Sequence, residues 1–158
     1  MKKLLCILLI LCLLIPATGC TSNRKDVYFY YPRKEVVSGG DDGVIAKEER
    51  EISRSENDLK NLLTLYLEGP LSQNLKNPFP KGTKLLHVSL QGKSLILTLT
   101  ESFQKLEGMD RTIACASIAQ TCLGLGSFEE IHIISGNKLI SLTPNTIALS
   151  DNSTADPA

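Results

Sequence analysis

The sequence has no tryptophan, only two histidines and few aromatic residues, 5% in all. It holds no H-E-x-x-H zinc motif, no G-x-S-x-G nucleophile elbow and no glycine-rich phosphate loop. Net charge is lacking too, because 17 Lys and Arg balance 17 Asp and Glu. A basic footprint is therefore absent, and no nucleic-acid partner is expected. The remaining polar groups have ordinary readings. Glu48 to Glu51 and Glu129-Glu130 are carboxylate clusters in or beside turns and a short strand, which suits a solvated surface. His87 and His132 fall inside strand segments, and Gly124-x-Gly126 closes a helix instead of opening one. No catalytic residue, cofactor or metal ligand set is expected. The chain reads as a non-enzyme.

Long apolar runs are confined to one place. Leu4 to Ile15 is unbroken and follows Lys2 and Lys3. As a helix it would span about 18 Å, against a hydrocarbon core of about 30 Å. That is short for a membrane span and suits the apolar region of a signal peptide, here residues 1–19. The run Ala17-Thr18-Gly19-Cys20 resembles the bacterial lipobox, with Ala17 where leucine is usual. Cys20 is accordingly the expected lipidation site, with 20–25 a short polar spacer. Two or three acyl chains anchor stably, at about 0.8 kcal/mol for each buried methylene. The expected location is the outer face of the cytoplasmic membrane. Without Lys2 and Lys3 the chain carries 15 basic and 17 acidic residues, a charge of about −2.

Cysteine is sparse beyond that point. Cys115 and Cys122 are two turns apart on one predicted helix, a rise of about 10.5 Å, too far for a disulfide. They read as small buried hydrophobes.

The rest alternates between strand and helix signals. Asp26 to Tyr31 is aromatic and β-branched and predicts a strand. Ser38 to Gly43 predicts a loop, and Val44 to Ile52 a short exposed strand. Ser55 to Pro70 predicts a helix with Ser55 as N-cap, Asp58 completing a capping box, and a stripe of Leu59, Leu62, Leu63, Tyr66 and Leu67. Leu71 to Thr83 predicts a loop. Lys84 to Gln91 and Ser94 to Thr100 alternate about Gly92-Lys93 and predict a type II′ hairpin, with Leu86, Val88 and Leu90 on one face. Met109 to Leu125 predicts a second helix, with Cys115, Ile118, Ala119, Cys122 and Leu125 on one face. Glu130 to Ser135 and Lys138 to Leu142 predict a closing hairpin, and 144–158 a flexible polar tail. Helices bracketing a hairpin favour an α+β two-layer sandwich, with two helices on one face of a small mixed or antiparallel sheet.

From Leu59 onward the chain resembles the GerMN domain of bacterial spore germination and sporulation lipoproteins. The pieces that carry the likeness are Leu62-Leu63, Glu68-Gly69-Pro70, Pro80-Lys-Gly-Thr83, Leu97-Thr-Leu-Thr-Glu-Ser-Phe103, Ile118-Ala-Gln-Thr121 and the hairpin about Gly136. The order and spacing of the pieces carry it more than any one of them. The resemblance implies a single such domain over residues 26–143, similar to the ring-building modules of secretion-type channels. It also implies a binding or assembly role outside the membrane, in sporulation or germination, without catalytic residues.

The expected function is a membrane-tethered interaction module. Its partners would be the bilayer, through the acyl anchor, and one or more envelope proteins, with homo- or hetero-oligomers both open. The aromatic residues Tyr28, Tyr30, Tyr31 and Phe79 are the candidate interaction surface. The alternative is a general envelope lipoprotein that is an enzyme or a solute-binding protein acting on cell-wall material.

Overall fold

The computed structural model describes residues 24–35, 43–53, 55 and 57–143. The signal segment, Cys20, most of the 38–43 loop and the 144–158 tail lie outside them. Strand β1 spans Arg24–Pro32 and β2 Ile45–Ser53. Helix α1 (Leu59–Leu67) follows, then β3 (Leu85–Gln91), β4 (Ser94–Leu99) and a 3-10 turn over Glu101–Lys105. Helix α2 (Gly108–Leu125), β5 (Glu130–Ser135) and β6 (Lys138–Leu142) complete the order.

The α+β class holds, with the strands divided between two sheets. One is the antiparallel pair β1–β2; the other is mixed, in the order β3-β4-β5-β6. Its central pair, β4 and β5, is parallel, because the 3-10 turn and α2 carry the chain back across the sheet. Both tight hairpins form as the sequence predicts. Positive φ occurs at Gly92 and Gly136 but not at Lys93 or Asn137, as a type II′ turn requires.

Period-two alternation decides what is buried. Leu95, Leu97 and Leu99 of β4 and Ile131 and Ile133 of β5 face the core, while Ile96, Thr98, His132 and Ile134 face outward. In β1 the buried residues are Val27, Phe29 and Tyr31. Both helices add to one continuous core, α1 through Leu62, Leu63, Tyr66 and Leu67 and α2 through Ala114, Cys115, Ile118, Ala119 and Cys122. Small residues let α2 approach β1 closely. Thr121 Oγ1 accepts the Tyr30 N–H at 2.9 Å, and Tyr66 Oη donates to the Tyr30 carbonyl at 3.1 Å. Side chains thus replace a neighbouring strand at that point of β1.

Four local expectations change. The α1 N-cap is Asp58, not Ser55; its carboxylate accepts the Asn61 N–H at 3.0 Å. The helix starts where the leucine stripe starts, and the capping carboxylate sits just before it. The expected 20–25 spacer overlaps β1, which already includes Arg24 and Lys25. A bulge between Leu85 and His87 puts Leu85, not Leu86, opposite Leu99. Leu86 is therefore 60% exposed, while Leu90 keeps its place opposite core Leu95 and is 56% exposed because β3 is the edge strand. The fourth change is in β2, where the Glu48–Glu51 cluster is not all at the surface. Alternation turns Glu48 and Arg50 onto the core side with Ile52.

Candidate functional site

The β1–β2 ribbon gathers the polar and aromatic residues of the amino-terminal half. On its outer side Tyr28 stands opposite Glu49 and Tyr30 opposite Lys47. The Lys47 ammonium lies 4.3 Å from the centre of the Tyr28 ring, and the Tyr28 hydroxyl donates to Glu49 at 3.3 Å. The Glu49 carboxylate, with a smaller effect of burial, holds the phenol above its ordinary range. Arg24 pairs with Glu51 at 2.6 Å across the same face.

The four expected interface aromatics separate here. Tyr28 is exposed and Tyr30 half-buried. Tyr31 and Phe79 are core residues, which removes them from any surface patch. Tyr31 Oη donates to the Tyr66 carbonyl at 2.7 Å, and Tyr66 packs between Tyr31, tilted at 4.9 Å, and Phe79, edge-on at 5.3 Å between ring centres. β1 alternates, so neighbouring tyrosines point to opposite sides.

Behind the ribbon, Arg50 and Glu48 form a buried ion pair at 2.6 Å, with side chains 9% and 8% exposed. Glu48 accepts the backbone N–H of Ser72 at 2.8 Å and of Leu71 at 3.0 Å. Arg50 donates to the Gly69 carbonyl at 2.5 Å and lies 5.0 Å from the centre of the Phe29 ring. Burial alone would raise the Glu48 carboxyl. Hydrogen bonds from Ser72, Arg50 and Leu71 outweigh it and hold the group below its usual value. The pair locks β2 to the Glu68-Gly69-Pro70 end of α1.

The outward face of the larger sheet carries a polar line. His132 Nδ1 is 2.9 Å from Ser141 Oγ, and its Nε2 is 3.1 Å from Glu130. These residue types occur in hydrolase triads, but here they are a cross-strand row on a sheet face. Three clefts formed by the described residues are lined by other side chains. His87 is exposed on β3. Cys115 and Cys122 are free and buried, and burial pushes their thiols up to about 11 and about 12. They are inert hydrophobes in this state. Among the described residues no group of His, Cys, Asp and Glu could hold a metal ion, and no helix is long and apolar enough to cross a membrane.

Two clefts flank β1. One, of about 400 Å³, has walls of Pro32, Val44, Pro78, Phe79 and Ile113, with Lys76 and Asp110 among its lining residues. The other, of about 330 Å³, lies along Asp26 and Tyr28 between the start of α1 and the end of α2.

Sequence reasoning missed the Glu48–Arg50 pair and the role of Thr121. A signal for the first was present. Ile52 shares its side of the strand with Glu48 and Arg50, so burying Ile52 commits them too. Thr121 carried no such signal, because its partner is a backbone group 91 residues away.

A family model described as Germane, sporulation and spore germination, matches residues 26–140. The chain belongs to that family, as the GerMN resemblance implies. No curated protein matches the sequence. Among solved structures, the tandem GerMN domains of the sporulation protein GerM from Bacillus subtilis match with a TM-score of 0.60 and 16% identity. The match covers 78% of this chain and 43% of that one. A protein of Clostridium perfringens described as a lipoprotein matches with a TM-score of 0.49 and 19% identity, over 78% of this chain and 89% of that one. At these identities the likeness to GerM is one of fold.

Proposed function

We propose that the protein is a lipid-anchored, extracytoplasmic interaction module that serves assembly of the spore-forming or germinating cell envelope. The observation that carries the reading is the order of its parts. A signal-like apolar run, Cys20 after Ala17-Thr18-Gly19, and a Germane domain follow one another directly. Such a tether places the folded part within a few residues of the bilayer, at β1. The charged and aromatic outer face of β1–β2, with Tyr28, Lys47 and Glu49, is then the first folded surface presented to envelope partners. No step of bond making or breaking enters this account.

Cys20→Ala tests the tether. In detergent phase partition the wild-type chain enters the detergent phase, and the variant is expected in the aqueous phase. A variant fully retained in detergent would contradict the anchor.

A further inference from the structure

We infer that the β1 edge at Asp26 and Tyr28 is a docking site for an extended polypeptide segment, apolar at its centre and with an uncharged hydrogen-bond donor side chain at a flank. The inference rests on the interaction-module reading and names its site. In an antiparallel pair, successive residues turn their backbone groups alternately toward the partner and away. Tyr30 turns away from β2, and its N–H and C=O are taken by Thr121 and Tyr66. The Pro32 carbonyl also turns away and accepts the Lys76 N–H at 2.8 Å. Asp26 and Tyr28 share this parity in an unbroken register. Their outward N–H and C=O groups meet no partner among the described residues. Among the described residues the fold thus closes one half of the β1 edge and leaves the other half open.

The open half borders the cleft of about 330 Å³. Leu59 and Leu62 form one wall, and Leu125 and Phe128 the other. Phe128 closes over Gly126, where a Cβ would fall 2.6 Å from the ring. Asn57 Oδ1 is buried in the lining and has no hydrogen-bond partner among the described residues. A buried acceptor of this kind costs about 1–3 kcal/mol until a donor reaches it.

These features select the occupant. Paired donors and acceptors at i and i+2 are what a strand presents, so backbone addition to the edge satisfies all four groups. Alternate side chains of the added strand face the apolar walls. Asp26 and Asn57 both offer acceptors, and Lys25 in the same lining offsets the Asp26 charge, so an uncharged donor side chain such as Asn, Gln or Ser fits beside the apolar residue.

The test uses the full-length chain in detergent micelles, panned against a random library of linear peptides of about twelve residues. Extended sequences with alternate apolar residues and a flanking amide or hydroxyl donor are expected to be enriched. Two variants locate them. Gly124→Phe fills the cleft from a helical position where a Cβ meets only ordinary contact with Tyr30. Asp26→Pro removes an outward N–H, a change an edge strand tolerates without losing a ladder bond. Each is expected to weaken a selected peptide about tenfold or more, and circular dichroism checks that the variant is folded. N-methylation of the peptide at alternate residues should do the same. No enrichment, binding unchanged in whichever variants fold, or displacement by wall glycan fragments instead of peptides would overturn the docking site. Partition of the Cys20→Ala variant reads the tether independently, so the two failures are distinguishable.

Discussion

Arg50 is the residue on which most of the ribbon depends. It neutralises Glu48, caps the Gly69 carbonyl and lies against Phe29. Removing one member of a buried pair leaves an uncompensated charge, at about 3–5 kcal/mol. Arg50→Ala is therefore expected to lose about that much stability at neutral pH, read as the shift of a urea midpoint. The pH dependence has a definite sign. Glu48 has a depressed folded pKa, so its contribution is full above its unfolded value of about 4.3 and fades as pH falls through the folded one. Without Arg50 its hydrogen bond and its charge no longer oppose burial, while Ser72 and Leu71 still donate, so the carboxyl rises relative to wild type and protonation costs the variant less. The gap between wild type and Arg50→Ala should accordingly narrow between neutral pH and about pH 4. A gap that widens on acidification would contradict the assignment.

At the scale of elements, α1 and α2 test where local rules end and tertiary contacts begin. Asp58→Ala should cost about 1 kcal/mol, the usual worth of an N-cap, while Ser55→Ala should cost less than half of that. Thermal melts of the two variants compare them directly. Thr121→Val keeps the shape of a fully buried side chain but strands the Tyr30 N–H. An expected loss of about 1–3 kcal/mol follows, measured by denaturant unfolding. These two elements also show how far the sequence reading reached. The leucine stripe of α1, the small face of α2 and both hairpins, the first with its II′ turn, were legible, because each follows from spacing within about twenty residues. The Asp58 cap was not, since Ser55 offers an equally good local signal. The bulge at Leu86, the split into two sheets and the Thr121–Tyr30 bond were not legible either. Each depends on which distant segment lies alongside. The site was less legible still: the four candidate aromatics read alike in the sequence, and Tyr28 could be told from Tyr30, Tyr31 and Phe79 only once β1 had a buried side.

For the whole molecule, the leading segment and the Germane domain make one argument about place. An anchor at Cys20 would hold a domain whose first strand begins at Arg24 close to the membrane surface. The polar ribbon and the open half of the β1 edge would then lie near the point of attachment. The most direct measurement is crosslinking in intact membranes with an affinity-tagged full-length chain, in growing and in spore-forming cells, with the captured proteins identified. Envelope assembly or channel proteins enriched during spore formation, and lost with Cys20→Ala, are the predicted result. Capture of wall-processing enzymes, or of nothing specific, equally in both conditions would contradict the assembly role and favour a general envelope lipoprotein.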